Sequence, residues 1–287
     1  MILITGATGT IGSHLLRQLT SRGEAVRAMT RNPGAVRAEP GVELVRADFD
    51  DPASLAAAVA DVRALFLLTA PTSPAPRHDL AMLETARSAG VTTVVKLSAI
   101  GTGETIGGDR TVGAWHLRAE QAVRSSGMAW TVLRPSSFAS NVLGFAHPIN
   151  AGQPVPNMTG TATQGVIDPR DVAAVAAEAL TTPGHDGRTY TLTGPDLLSV
   201  PDQAAIMESV LDRPVTTVDL PFDAAREQML HHGMGPAAAD AALTGMAWAR
   251  AGHNAVLTQD VPRILGRSAT AFTTWVQDHR DAFRPTP

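Results

Sequence analysis

A glycine-rich run near the N-terminus, Thr5-Gly6-Ala7-Thr8-Gly9-Thr10-Ile11-Gly12, carries the strongest chemical signal in the chain. Glycine admits positive φ and lets another backbone segment approach closely, so glycines at this spacing suit a tight turn from a strand into a helix. The turn aims the unpaired N–H groups of the helix's first turn, reinforced by the helix dipole, at one point. In a βαβ unit the anion that fits there is the pyrophosphate of a dinucleotide. Gly6, Thr8, Gly9, Thr10, Ile11 and Gly12 are the expected contacts. In such units an acid about 20 positions on holds the ribose 2′-hydroxyl of NAD, whereas an arginine accommodates the 2′-phosphate of NADP. Here the second strand ends Met29-Thr30-Arg31-Asn32. Arg31 offers a planar donor fork suited to phosphate, so NADP is the expected cofactor, with NADPH preferred over NADH. Asp48-Phe49 after the third strand and Thr69-Ala70-Pro71 after the fourth are expected along the adenosine half, although Asp48 and Asp51 equally suit helix capping.

A second cluster lies at Trp115-His116-Leu117-Arg118-Ala119-Glu120. His116 and Glu120 are four apart and share a helix face. A neutral or protonated imidazole can donate a proton near neutral pH, and Glu120 could orient it or raise its pKa. The same spacing also tethers a helix without any chemistry. Trp115 is a candidate substrate contact. Lys96, the single lysine of the chain, lies within an apolar strand. Facing a cleft, it reaches a ligand; facing a covering helix, it must snorkel or pair with a carboxylate. In the C-terminal part, Trp248 or Phe222 could face a ligand, whereas Trp275 reads as core. Met207, Met229, Met234 and Met246 suit either an adaptable pocket or ordinary packing.

Several chemistries are excluded. The chain has no cysteine, which removes disulfides, thiolate catalysis and cysteine-ligated metals. Adjacent His231 and His232 cannot converge on one metal from a helix, so no metal site is expected. Ser136 and Ser137 lie outside any Gly-x-Ser-x-Gly elbow. A net charge of −4 argues against nucleic-acid binding through a basic face.

The elements that must position these residues alternate between strand and helix. Strands are expected at 1–5, 25–30, 42–47, 64–69, 92–98 and 130–134, with helices at 11–22, about 52–60, 78–88 and 112–125. This alternation specifies an α/β fold, a doubly wound parallel sheet of the Rossmann kind. After Asn141 the pattern changes. Pro148, Pro154 and Pro156 mark loop, a helix is expected at 171–180 and a strand at 189–193, and further helices follow. A dinucleotide-binding domain over 1–143, with part of 160–195 returning to its sheet, and a smaller α/β cap over 144–287 are therefore expected. At 287 residues with 44% hydrophobic and 17% charged residues, the chain is an ordinary globular protein. No stretch approaches the roughly 20 apolar residues of a membrane helix. The first residues lack the basic region of a secretory signal. A cytoplasmic monomer or homodimer is the expectation.

The motif TGATGTIG resembles the atypical short-chain dehydrogenase/reductase superfamily. ADFDDPASL at 47–55, VVKLSA at 94–99, His116-x-x-x-Glu120, SGMAWTVLRPSSFASN at 126–141, IDPRDV at 167–172, YTLTG at 190–194 and Thr270-x-Phe272-x-x-Trp275 are similar to NmrA-like proteins within it. The resemblance spans nearly the whole chain. It implies that Ser98 orients substrate, that Pro135, Ser136, Ser137 and Phe138 lie along the nicotinamide, with Ser98, Pro135, Ser137 and Phe138 as cofactor contacts, and that Phe138 and Asn141 meet substrate. Most of the superfamily uses a Tyr-x-x-x-Lys acid–base pair. Here the single tyrosine, Tyr190, and the single lysine stand 94 positions apart in the reverse order, so that pair cannot exist. The expected function is NADPH-dependent hydride transfer to a small apolar or aromatic electrophile such as a quinone, enone, imine or ketone, with His116, Ser98 and Lys96 as candidate catalytic residues. A non-catalytic NADP(H) sensor and an isomerase, cyclase or dehydratase on the same fold are the alternatives.

Overall fold

The computed structural model describes residues 1–35, 40–69 and 75–284. β1 (Ile2–Ile4) leads through the glycine turn into α1 (Thr10–Ser21). β2 (Val26–Thr30), β3 (Val42–Arg46), α2 (Pro52–Ala58), β4 (Ala64–Leu67), α3 (Arg77–Ser88) and β5 (Thr93–Leu97) follow. A short hairpin, β6 (Thr105–Ile106) with β7 (Arg110–Thr111), precedes α4 (Ala114–Arg124) and β8 (Ala129–Pro135). Next come a 3-10 segment at Ala139–Phe145, α5 (Ala146–Asn150), β9 (Val155–Asn157), β10 (Gln164–Gly165), α6 (Pro169–Thr181), β11 (Arg188–Leu192), β12 (Leu197–Leu198) and α7 (Val200–Leu211). β13 (Thr217–Asp219), α8 (Phe222–His231), α9 (Pro236–Arg250), α10 (Asp260–Leu265) and α11 (Phe272–Asp278) end the order.

Seven strands form one sheet in the order β11-β8-β5-β4-β1-β2-β3. Every neighbouring pair from β8 to β3 is parallel. The chain starts in the middle and winds to both sides, so the order reverses between β1 and β4. Ligands bind outside the carboxyl ends of the strands at such a reversal, which is where the glycine turn leaves β1.

The chain divides into two compact units. The first comprises residues 1–99, 114–134 and 169–191; the second comprises 100–113, 135–168 and 192–287. In the first, side chains alternate across the sheet. Leu65, Leu67, Val94 and Val132 join Leu55, Met82, Leu83 and Val123 in one core beneath α2, α3 and α4. α1 packs against α6, whose Ala- and Val-rich sequence is buried almost throughout. In the second unit, Phe272, Trp275, Val276 and Phe283 form a core with Met207 and Val215. Each such side chain contributes roughly 1.5–3 kcal/mol on burial.

The loop expectation for Pro148 and Pro156 is corrected. Pro148 lies in the first turn of α5, where an N–H is not required. Pro156 lies in β9, which pairs only with β13 in a two-stranded sheet, an edge setting that tolerates a residue without a donor. The β6–β7 hairpin lacks a long apolar period and gave no signal in the sequence.

Candidate active site

The glycine turn has the geometry of an anion cradle. Gly6 sits at φ +61, and a Cβ there would lie 2.9 Å from the Leu68 side chain. A Cβ on Gly12 would stand 2.2 Å from the Gly6 carbonyl oxygen and 2.7 Å from the Ala7 Cα, so only glycine lets α1 begin this close to the turn. Gly9 is the N-cap of α1, and no side chain caps the helix. The first turn also carries no acid, so its positive end is not neutralised from within. Thr8, Gly9 and Thr10 are exposed, while Ile11 and Gly12 are buried behind them. Together these features fit the pyrophosphate of a dinucleotide. The Thr5 hydroxyl donates to the Leu68 carbonyl at 2.7 Å and accepts from the Leu68 N–H at 2.8 Å, locking the end of β1 to the end of β4.

Arg31 follows β2 and is exposed. Asp48 is half-buried, and its carboxylate accepts from the Asp50 N–H at 3.1 Å. Asp51 caps α2 by accepting from the Ser54 N–H. The Phe49 ring stacks on His78, with centroids 5.0 Å apart and planes 12° apart. Thr69 is buried. Ala70 and Pro71 lie outside the described residues.

A buried polar cluster occupies the same unit. Strand alternation points Lys96 to the side of Val94, beneath α3, and both Lys96 and Asp79 are fully buried. Lys96 Nζ lies 3.1 Å from Asp79 Oδ1 and donates to the Leu97 carbonyl at 2.6 Å. The Thr69 hydroxyl donates to Asp79 Oδ2 at 2.7 Å. Burial pulls the Lys96 ammonium below its ordinary value, and the Asp79 and Glu120 carboxylates pull it back. The ammonium also stands 5.2 Å from the centre of the Trp115 ring, a favourable cation–π contact.

Ser98 directly follows the same strand and donates to Glu120 Oε1 at 2.6 Å. Glu120 is fully buried and accepts from Arg134 through both oxygens, at 2.9 and 2.7 Å, and from Arg124 at 2.9 Å. A buried carboxylate needs partners of this kind to remain charged. The partners of Glu120 are thus a serine and two arginines, and no bond joins it to His116. The His116 ring instead lies against Trp115, with centroids 4.3 Å apart. Its Nδ1 is buried and meets no hydrogen-bond partner among the described residues. Burial first, then the charges of Lys96 and Arg134, push its imidazolium down to about 3. The ring is therefore neutral at physiological pH.

In the second unit, Pro135 is buried and Ser136 donates to Asn254 Oδ1 at 3.0 Å; Asn254 in turn donates to Gln164 Oε1 at 2.9 Å. The Ser137 hydroxyl accepts from exposed Asn141 at 3.3 Å. Phe138 is half-buried and bridges Ile167. Trp248 is only 3% exposed, and its indole N–H donates to Glu104 at 2.8 Å. A Cβ on Gly101 would strike its ring at 2.7 Å, so the indole is packed rather than presented. Phe222 is half-buried, with the Arg250 guanidinium 5.9 Å from its centre. His231 and His232 are exposed, and no three potential ligands gather as a metal site among the described residues.

The residues missed in the sequence are chiefly Asp79, Arg124 and Arg134. The first had a usable signal: a lysine inside an apolar strand demands a carboxylate, and Asp79 opens the next-packed helix. The arginines gave none, because arginine abounds throughout the chain.

Comparison with known proteins agrees with this geometry. The NAD(P)H-binding family matches residues 6–183. The chain is similar to the (4-alkanoyl-5-oxo-2,5-dihydrofuran-3-yl)methyl phosphate reductase of Streptomyces griseus subsp. griseus, 38% identical over 286 residues, covering 99% of this chain and 100% of that one. It is also similar to the NAD(P)H azoreductase of Xenophilus azovorans, 33% identical over 285 residues and 99% of each chain. An Escherichia coli NADPH-dependent quinone oxidoreductase, solved in complex with NADPH, has the same fold. Its TM-score is 0.85 at 23% identity, covering 98% of this chain and 100% of that one.

Proposed function

We propose that this chain, which belongs to the NAD(P)H-binding family and is of the NmrA-like, atypical short-chain dehydrogenase/reductase kind, is an NADPH-dependent reductase of small conjugated electrophiles. The observation that carries this reading is the cradle closed by Gly12, with the uncapped start of α1 behind it. Thr8 to Gly12 would hold the pyrophosphate, and Arg31 the 2′-phosphate that separates NADPH from NADH. When bound, the dinucleotide would supply the acceptor with a hydride, two electrons and one hydrogen. A proton from water completes the reduced product.

The choice of electrophile follows from the proton chemistry. The chain has no Tyr-x-x-x-Lys pair, and its His116 is neutral. A conjugated acceptor spreads the negative charge it gains, so it needs no strong acid at the moment of hydride arrival. The two similar reductases act on an alkanoyl-oxo-dihydrofuran phosphate and on azo compounds. Each presents a conjugated double bond. No helix among the described residues is long and apolar enough to cross a membrane.

The test is calorimetric titration with NADPH and NADH, followed by NADPH absorbance with a quinone, an azo dye, an unsaturated lactone and an imine. NADPH binding with acceptor-dependent oxidation supports the reading. Tight binding without oxidation by any acceptor transfers the weight to a redox sensor, and failure to bind either dinucleotide overturns the cradle argument.

A further inference from the structure

His116 stands in the first turn of α4 and Ser98 just beyond β5, at the carboxyl-end edge of the sheet that also holds the glycine turn. The surroundings of the ring are asymmetric. Nδ1 is buried and meets no hydrogen-bond partner among the described residues, while the residue as a whole is only half-buried. One side of the ring meets Trp115, whose indole in turn stands over the buried Lys96 ammonium. The charges that act on it are Lys96 of β5 and Arg134 of β8. The carboxylates bound to those cations are Asp79 of α3, paired with Lys96, and Glu120 of α4, paired with Arg134 and Arg124.

The two carboxylates are already engaged by cations. No acceptor among the described residues meets a proton on Nδ1, and an orphaned buried N–H is the rarer and costlier alternative to a bare lone pair. Positive charge nearby favours the lone pair further. The proton of the neutral ring therefore belongs on Nε2, the other nitrogen of this half-buried residue.

We propose that His116 serves the reaction as a fixed Nε2–H hydrogen-bond donor to the acceptor atom on which negative charge develops, and that it keeps its proton throughout. This rests on the reductase reading above and specifies what the site does with charge. Lys96 is then a positioning residue: sealed behind Trp115, it touches no substrate and sets the field that holds the ring in this tautomer. A neutral imidazole used in this way polarises the acceptor without becoming anionic or cationic. The electron balance is unchanged, since the hydride comes from NADPH and the single proton from water. The device favours acceptors with an oxygen or nitrogen at the end of the conjugated system, and disfavours those already cationic.

Two measurements test this. The first is nitrogen-15 NMR of histidine-labelled protein, with His116→Gln used for assignment. The expected result is a His116 ring that does not titrate between about pH 5 and 8, with Nε2 protonated and Nδ1 bare. A titration midpoint inside that window, or a proton on Nδ1, overturns the proposal. The second is the rate of NADPH oxidation by a quinone and by an azo dye. Gln retains an N–H at a reach similar to that of Nε2 but cannot act as an acid. His116→Gln should keep kcat within about tenfold, whereas His116→Leu should lose about 100-fold, the usual effect of deleting one such donor. Both should bind NADPH as the parent does. Equal loss in Gln and Leu overturns the donor role and points to proton transfer. If even the parent oxidises no NADPH, the reductase reading fails, while the NMR result still decides the state of the ring.

Discussion

Lys96→Met removes the cation that faces Asp79 and leaves a fully buried carboxylate with, among the described residues, the Thr69 hydroxyl. Breaking a buried pair by deleting one partner costs about 3–5 kcal/mol, because the remaining charge loses its compensation in a low-dielectric site. Folded domains are stable by only about 5–15 kcal/mol, so this is a large share of the total. With a urea slope near 3 kcal/mol per molar, the unfolding midpoint should fall by about 1–2 M. Asp79→Leu should fall similarly, since it strands the ammonium. The double variant Lys96→Met/Asp79→Leu leaves neither charge of this pair behind. It leaves the Thr69 hydroxyl without an acceptor, a cost of about 1–3 kcal/mol. The double variant should therefore be more stable than either single one. The assay is urea unfolding followed by far-UV ellipticity for all four proteins. The reasoning fails if Lys96→Met shifts the midpoint by less than about 0.3 M, or if the double variant shows the sum of the two single losses.

Gly12→Ala should abolish the cradle, because its Cβ would stand 2.2 Å from the Gly6 carbonyl oxygen and backbone must move to admit it. NADPH affinity should drop more than about tenfold, or 1.4 kcal/mol, and unchanged calorimetric affinity would show that the turn does not meet the pyrophosphate. Arg31→Ala should weaken NADPH about 10–150-fold more than NADH, corresponding to about 1.5–3 kcal/mol for a charged contact; equal weakening of both would remove Arg31 from the 2′-phosphate. Stability should also depend on pH through His116. Its imidazolium titrates near 3 in the fold and near 6.5 in the unfolded chain, so between these values the unfolded state holds more protons. Stability then falls as pH drops through that window, by up to about 1.4 kcal/mol per pH unit from this group. His116→Leu should flatten urea-derived stability over the same range, and curves that stay parallel to the parent's would contradict the burial of Nδ1.

The cradle was legible in the sequence because its physics is local. Glycine spacing, the apolar run before it and the Ile11, Leu15, Leu16, Leu19 stripe after it fix strand, turn and helix within two dozen residues. The alternation of strands and helices likewise determined the parallel sheet, since crossover handedness and two-sided burial leave few other arrangements. The fate of the polar residues was different. Whether Lys96 met a ligand or a helix depended on which face of β5 it occupied, and strand parity alone could not say which helix covered that face. The sheet order placed α3 there, and with it Asp79, 17 positions earlier in the chain. The pairing of His116 with Glu120, suggested by i, i+4 spacing, gave way because Arg134 on β8 and Ser98 just beyond β5 reached that carboxylate. Trp248 found Glu104 at 144 positions' separation, a contact no local pattern encodes. Local backbone chemistry is written in adjacent residues; the partners of buried charges are chosen by whatever the tertiary fold brings within about 3 Å, because a buried polar group must be satisfied by what is there.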